Sequence, residues 1–332
     1  MTRNVTRYAY STLFDASYAS RGLLMGDSLM GHLAAQDRLV IFAVDSQAES
    51  VAKLYYAGVP QVEVFPLLEI ASQRPEFATV ARTRSRTEVC WTAASLSLSY
   101  LMDRHGPEMV VYLDADLIFY SNPSPLLQQL ARRGKHALIT PHGFSASADS
   151  SAEVGIYCVQ FMPFRNTAEG REILEAWCKA CLADCSYTPG TGKCGDQTYL
   201  NDWPIRWPEA VWVCEGHGTG VGPWNVSRHR LRSRHSMLET RLPCESEWYP
   251  LLFYHFQNVK FDSVGSLDRP RLLSWSIPYA WLRSVYTPYL VKLSRMQSAL
   301  GLIPPFSQGV GPRGWLSWAL GHCRRTRTLP RR

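Results

Sequence analysis

Short apolar segments alternate with stretches of helical spacing in the first half of the chain. The apolar, β-prone segments are predicted strands and the stretches between them are predicted helices. The strands are 8–14, 39–44, 62–65, 109–113 and 137–140, and the helices are 18–33, 47–56, 86–104 and 125–132. This alternation predicts a mostly parallel sheet covered by helices on both faces. Such a sheet binds its ligands beyond the carboxyl ends of its strands.

The pattern changes after Ser145. Mixed strands, one long helix and glycine-rich loops follow, and we expect them to complete the site begun by the first half. The predicted strands are 157–162, 211–214 and 251–256, and the helix is 167–185. The predicted fold class is therefore α/β, with a mostly parallel sheet flanked by helices and a helical, basic extension at the carboxyl end.

Composition and charge divide the chain in two. Its 332 residues, 46% apolar and 19% charged, suffice for a large core and exclude a disordered chain or a small disulfide scaffold. No Asp or Glu follows Asp268, whereas residues 269–332 hold eleven Lys and Arg. Residues 1–268 then have a net charge of −4, from twenty-four basic and twenty-eight acidic side chains. We predict a domain over 1–268 and an extension over 269–332, and no nucleic-acid partner, because the body lacks a broad positive field.

The extension mixes its basic residues with aromatic ones, including Trp275, Trp281, Trp315 and Trp318. This mixture suits the headgroup layer of an anionic membrane, and the competing interpretation is a solvated extension with aromatics folded onto the body. No apolar run is long enough to span a bilayer, and the first residues lack the pattern of a secretory signal. The sequence thus predicts a cytoplasmic protein, peripheral at the inner membrane face if the extension contacts lipid, with mostly reduced cysteines.

Chemistry is concentrated where the fourth predicted strand ends, in Val-Val-Tyr-Leu-Asp-Ala-Asp-Leu-Ile-Phe-Tyr at 110–120. Asp114 and Asp116 would lie at the ligand-binding edge, where two carboxylates can hold a divalent cation that also binds phosphate oxygens. Such a cation neutralises charge on a leaving diphosphate. The competing interpretation is a polar strand end that caps the following helix.

Several separated motifs resemble one family. Besides the Asp-x-Asp pair, they are Thr-Leu-Phe-Asp-Ala-Ser-Tyr at 12–18, Gly-Asp-Gln-Thr-Tyr-Leu at 195–200 and His-Phe-Gln-Asn-Val-Lys at 255–260. Together they resemble glycosyltransferases of the GT-A fold, such as glycogenin and related bacterial galactosyltransferases. The resemblance covers about residues 8–260. It implies a metal-dependent enzyme that transfers a sugar from a nucleoside-diphosphate-sugar to a saccharide or lipid-linked acceptor, in cell-surface glycan synthesis.

The resemblance also implies roles at the reaction centre. His255 becomes the third protein ligand of Mn²⁺ or Mg²⁺, and Lys260 contacts the diphosphate. Asp196 lies beside the transferred sugar, where it hydrogen-bonds hydroxyls, stabilises charge at the anomeric carbon or acts as a base. The competing interpretations are a core histidine for His255 and a helix cap for Asp196. The chain departs from the family by Asn258 in place of Gly and by a Lys260 one residue nearer the histidine.

The resemblance also implies which residues surround the nucleotide. Asp15 and Tyr18 hold the base, Asp45 lies near the nucleoside, and Arg86 is the member of its arginine-rich turn that meets the diphosphate. Trp224 and Asn225 line the sugar site. The competing interpretations are a helix cap for Asp15, a core tyrosine for Tyr18 and a turn residue for Asp45. For Arg86 the alternative is a solvated basic turn, and for Trp224 and Asn225 it is an ordinary surface loop. Cys158 stands where relatives often have Asn, which puts one sugar contact in doubt.

Other interpretations account for less of the chain. An Asp-x-Asp pair after a strand also opens phosphatases of the haloacid dehalogenase type, but that pair stands near the chain start and precedes Thr or Val, not Leu117. A non-catalytic membrane or polyanion binder would leave the motifs unexplained. Cys178, Cys181, Cys185 and Cys194 have spacings that could hold zinc. The first three fall on one face of the predicted helix 167–185, where thiols also pack in a core.

Overall fold

A central sheet carries most of the fold. The computed structural model describes residues 6–146, 149–259 and 277–301. In chain order its strands are β1 Tyr8–Phe14, β2 Arg38–Ala43, β3 Val62–Pro66, β4 Met109–Leu113, β5 Leu117–Phe119, β6 Ala137–Pro141, β7 Tyr157–Cys158, β8 Phe161–Arg165, β9 Tyr187–Thr188, β10 Lys193–Cys194, β11 Val211–Val213, β12 Arg230–Arg234, β13 Met237–Arg241, β14 Tyr249–Pro250 and β15 Phe253–His255.

Helices connect and cover these strands. They are α1 Ala19–Met30, α2 Ser46–Tyr55, α3 Glu76–Thr83, α4 Arg86–His105, α5 Ser124–Arg132, α6 Ser151–Val154, α7 Ala168–Ala183, α8 Trp203–Arg206, α9 Tyr279–Trp281 and α10 Thr287–Ala299. A π-helical turn, Leu282–Tyr286, joins α9 to α10, and short 3-10 turns span Leu67–Ser72, Thr198–Asp202 and Val226–Arg228. Within the described ranges, none of these helices is long and apolar enough to cross a membrane.

The main sheet has the strand order β3-β2-β1-β4-β8-β6-β11, and β7 pairs with β6. The strands from β3 to β4 are mutually parallel, as are β6 and β11. Only β8 breaks the pattern on this path, because it runs antiparallel to both β4 and β6. The predicted α/β class with a mostly parallel sheet is confirmed.

Two hydrophobic cores cover the two faces of the sheet. The core beneath α4 and α7 includes Trp177, Cys178, Cys181 and Cys185. Burial raises the pKa of the Cys178 thiol to about 12, so this thiol stays protonated at neutral pH. In the described part of the chain these cysteines do not form a convergent set of three metal-binding side chains. The structure thus gives them a packing role.

The described C-terminal residues, 277–301, pack into the other core. Trp281, Val285 and Tyr286 are at most 1% exposed, in contact with the core that includes β5 and β15. The Tyr286 hydroxyl lies 2.9 Å from that of Tyr254, and the Tyr289 ring stacks on Phe256. These helices therefore support the strand that carries His255. They do so although they lie beyond residue 268, where the predicted boundary divides the acidic body from the basic extension.

Candidate functional site

A cavity of about 670 Å³ opens beyond the carboxyl ends of β1 and β4. Its wall is built from residues that lie far apart in the sequence. Eight of the eleven predicted site residues line it: Asp15, Tyr18, Arg86, Asp114, Asp116, Asp196, Trp224 and His255. The fold thus gathers residues of several separated motifs around one space.

The strand pairing brings Asp114, Asp116 and His255 together. β4 ends at Leu113, and the chain turns through both aspartates into β5, which pairs antiparallel with β15 so that His255 lies opposite Leu117. His255 Nε2 lies 2.9 Å from Asp116 Oδ1 and 3.9 Å from Asp114 Oδ2. One ligand atom from each side chain falls within 4.8 Å of the others. The three side chains converge as a cation site requires.

A buried amide orients the His255 ring. Its Nδ1 lies 3.1 Å from Gln160 Oε1, and the Gln160 amide nitrogen donates to Thr140 Oγ1. Because Oε1 can only accept, Nδ1 carries a proton, and Nε2 faces the carboxylates, where its lone pair becomes available to a cation once Nε2 gives up its own proton. Metal-binding histidines are commonly held in this way. This tautomer, with two carboxylates, fits a divalent cation such as Mn²⁺ or Mg²⁺.

The protonation states of Asp114, Asp116 and His255 depend strongly on one another. Burial raises the pKa of Asp114 to about 7, and the nearby Asp116 acts in the same direction. Burial opposes ionisation of Asp116 as well, but His255, its hydrogen bond and Arg21 outweigh burial and lower the Asp116 pKa. Burial alone would lower the pKa of His255, yet the aspartates raise it. The ring thus takes up a proton where a cation could bind instead.

Asp196 faces the same cavity from another direction. It is 4% exposed, and burial raises its pKa well above the ordinary carboxyl value, with the neighbouring Cys185 and Asp114 acting in the same direction. The turn before it depends on Gly195, which has a φ of 54° and would place a Cβ 2.6 Å from the Trp91 ring. Trp177 fixes the turn by donating to the Asp196 carbonyl oxygen. These contacts fix the backbone that places the Asp196 side chain in the cavity wall.

Arg86 joins two of the predicted nucleotide residues at the cavity edge. Its guanidinium lies 3.1 Å from an Asp15 oxygen and 3.5 Å from an Asp45 oxygen. Asp45 also caps α2 by accepting from the Ala48 backbone nitrogen, and it does not line the cavity. Because the Arg86 side chain is 64% exposed, its donors can also meet an anion from solvent.

Arg21 is a buried charge that the sequence pattern did not predict. It is 6% exposed and donates to the carbonyl oxygens of Ser17 and Val259, while its guanidinium lies 4.8 Å from the Tyr18 ring centre. It therefore joins the first turn of α1 to the segment that follows His255. The sequence offered one signal for this role. A charged side chain stands between the small residues Ser20 and Gly22, in a helix that packs against the core.

Trp224 and Asn225 are held by backbone atoms. The Trp224 ring nitrogen and the Asn225 amide nitrogen both donate to the His142 carbonyl oxygen, and Asn225 also accepts from the Gly222 nitrogen. Trp224 packs edge-on against His255 and lines the cavity, whereas Asn225 lies outside the lining, and both are at most 3% exposed. The Asn225 amide thus holds the loop in shape, and the Trp224 ring forms part of the cavity wall. Lys260 lies outside the described residues.

Three thiols also line the cavity, on Cys90, Cys158 and Cys194. Burial raises the pKa of Cys90 to about 12 and that of Cys194 to about 11, so both are neutral near pH 7. Cys158, at the position where the family often has Asn, is 5% exposed. This part of the wall therefore offers few strong hydrogen-bond partners to a ligand.

Comparisons with known proteins found a curated sequence relative and several likenesses to solved structures. No family model matches it. The uncharacterized protein YfnF of Bacillus subtilis is 32% identical over 197 residues, which make up 56% of this chain and 62% of YfnF. The chain thus spans less than two thirds of the length of this relative.

Solved structures give likenesses at low identity. Mouse xyloside xylosyltransferase 1 is 13% identical, with 76% of this chain and 98% of that chain covered and a TM-score of 0.48. The galactosyltransferase LgtC, solved with donor and acceptor sugar analogues, is 12% identical over 91% of this chain and 98% of its own, with a TM-score of 0.47. The glycosyltransferase GlyE of Streptococcus pneumoniae is 14% identical over 91% of this chain and 66% of its own, with a TM-score of 0.46.

Proposed function

We propose that this protein is a metal-dependent glycosyltransferase that moves a sugar from a nucleoside-diphosphate-sugar to a saccharide or lipid-linked acceptor in cell-surface glycan synthesis. One observation carries the proposal: Asp114, Asp116 and His255 converge on a cavity at the carboxyl ends of parallel strands. When bound there, Mn²⁺ or Mg²⁺ would stabilise negative charge on the departing diphosphate. A body with a net charge of −4 over residues 1–268 otherwise disfavours an anionic donor.

The remaining lining residues suit the parts of such a donor. Tyr18 and Asp15 lie at the end of β1, where they would meet the nucleoside, and the exposed Arg86 guanidinium would meet phosphate oxygens. Asp45 would act through Arg86, because it pairs with that guanidinium and lies outside the lining. Lys260 follows the His255 segment and would add a second positive charge at the diphosphate.

The sugar would occupy the part of the cavity near Asp196 and Trp224. A buried carboxyl in the cavity wall can hydrogen-bond sugar hydroxyls, and the lining part of the Trp224 indole offers an apolar contact beside it. Asn225 would support this wall through its bonds to the His142 and Gly220 carbonyl oxygens. Asp196 is thus the residue we assign to the transferred sugar.

The direct test is release of nucleoside diphosphate from a panel of nucleotide-sugars by the purified protein. We expect hydrolysis or transfer with at least one donor in the presence of Mn²⁺, and none after chelation by EDTA. Phosphate release from phosphomonoesters, with every nucleotide-sugar left intact, would instead favour a phosphatase and contradict the proposal.

Gln160 should tune the affinity for the cation without touching it. Gln160→Met removes the acceptor that holds His255 Nδ1, so we expect Mn²⁺ to bind roughly 10- to 100-fold more weakly. Free Mn²⁺ can be measured by electron paramagnetic resonance in the absence of nucleotide. The matched control is Gln47→Met on the exposed face of α2, which should leave the affinity unchanged. Equal Mn²⁺ affinities of the two variants would show that Gln160 does not influence cation binding.

The basic extension should help to keep the enzyme at a membrane on the cytoplasmic side. Because 277–301 packs into the core, the informative deletion removes only residues 302–332, which hold six of the eleven basic residues of the extension. We expect weaker co-sedimentation with vesicles of phosphatidylglycerol and unchanged nucleotide binding. Unchanged sedimentation would contradict a membrane role for these residues.

A further inference from the structure

A separate basic surface lies on the small sheet β12–β13–β14. The register opposes Arg230 to Arg241, Arg232 to Glu239 and Arg234 to Met237, which places all six side chains on one face of the sheet. The other face carries Leu231 and Leu238, which pack against the core. We call the four arginines 230, 232, 234 and 241 the arginine face.

Two of these arginines are fixed and two are free to bind. Arg232 pairs with Glu239, and the guanidiniums of Arg232 and Arg241 lie 4.3 and 4.9 Å from the Trp248 ring centre. Arg230 and Arg234 are exposed, and within the described ranges neither forms an ion pair with a carboxylate. The six side chains on this side of the sheet thus include four arginines and one carboxylate, although residues 1–268 as a whole have a negative net charge.

An exposed methionine lies at one end of the arginine face, and a short helix packs beside the same sheet. Met237, beside Arg234 at the hairpin end, is 50% exposed, and Tyr279 in α9 is 44% exposed. The segment of α9 packs beside β12, where the Trp281 ring nitrogen donates to the His229 carbonyl oxygen, and the exposed Arg283 follows it. The arginine face thus carries an exposed methionine at its hairpin end.

We propose that the arginine face docks this protein onto the phosphate-bearing surface of an anionic membrane. Arg230 and Arg234 stand about 13 Å apart along an extended strand, so they can contact separate headgroups of a planar array. The exposed Met237 suits the boundary between headgroups and acyl chains. A nucleic acid would have to wrap the surrounding acidic body, which the negative charge of residues 1–268 disfavours.

This docking surface goes beyond the proposed reaction. It lies in the folded body, outside the cavity lining and outside the basic residues 302–332. Docking through the body would hold the whole domain, cavity included, in one orientation against the membrane. It would thereby present the domain to acceptors whose lipid part stays in the bilayer.

The test compares two double variants of the full chain with the same change in charge. One is Arg230→Glu with Arg234→Glu on the arginine face, and the control is Arg82→Glu with Arg132→Glu at exposed positions elsewhere. Each is sedimented with vesicles of phosphatidylglycerol and phosphatidylethanolamine in equal parts, and with phosphatidylcholine vesicles. We expect the first variant to bind anionic vesicles roughly 30-fold more weakly than the wild type, and the control to bind much as the wild type does.

The control variant distinguishes binding through the arginine face from a general effect of net charge. Equal losses in the two variants would show such a general effect and overturn the proposal, as would a first variant that binds like the wild type. Wild-type protein that binds soluble polyphosphate but no anionic vesicle would overturn it as well. The thermal shift with nucleoside diphosphate and Mn²⁺ should be the same in both variants, which shows that the fold and the cavity are intact.

Discussion

Asp116→Asn should abolish the rise in melting temperature that a nucleoside diphosphate with Mn²⁺ gives to the wild-type protein. Asp116 is the carboxylate nearest His255 Nε2, and an amide is a far weaker ligand for a divalent cation. Ligand in about hundredfold excess over its Kd stabilises a fold by about 2.7 kcal/mol. For a chain of this size we expect a rise of several degrees in the wild type and none in the variant, measured by calorimetry.

The control is Asp202→Asn, an exposed aspartate in an i,i+4 pair with Arg206. It removes one carboxylate charge without reaching the cavity, so the full thermal shift should persist. Each shift is taken relative to the same variant without ligand, because Asp116→Asn also leaves the buried His255 without its closest partner. An undiminished shift in Asp116→Asn would contradict the metal assignment.

Trp281→Ala should lower the free energy of unfolding by about 3–5 kcal/mol. The indole is 1% exposed, its nitrogen donates to the His229 carbonyl oxygen, and its ring packs against Tyr254 next to His255. The loss therefore combines a large cavity with an unpaired carbonyl group. Urea unfolding followed by circular dichroism measures it.

Tyr279→Ala is the matched control, since Tyr279 lies in the same short helix but is 44% exposed. Its effect should stay within about 0.5 kcal/mol. A loss of unfolding free energy in Trp281→Ala as small as that in Tyr279→Ala would show that α9 contributes little to the core. A large loss only in Trp281→Ala would establish that the segment beyond residue 268 stabilises the body that carries the site.

The strands of the main sheet could be predicted because their apolar runs are short and separated by helices. Strand 8–14 was predicted with the observed bounds, and so was 109–113. Residues 157–162, predicted as one strand, are instead divided between β7, which pairs with β6, and β8, which pairs with β4 and β6. Gln160 lies between them, and its amide serves His255 and Thr140, a tertiary role that periodicity does not encode.

The candidate site could be predicted in part for a similar reason. A carboxylate pair after a buried strand is a local pattern, so Asp114 and Asp116 stand out from the sequence. Arg21 does not, because its role depends on the carbonyl oxygen of Val259, more than two hundred residues away along the chain. The packing of Trp281 and Tyr286 beside β15 is likewise a long-range property, which the positive charge of the C-terminal residues conceals.

Anomalous diffraction from crystals grown with Mn²⁺ and a nucleoside diphosphate tests the metal-site proposal most directly. We expect one manganese peak bounded by Asp114, Asp116 and His255 Nε2, with diphosphate oxygens on its open side and the nucleoside directed toward Tyr18. A nucleotide bound outside this cavity, or a manganese peak elsewhere with these three side chains still bonded to one another, would contradict it.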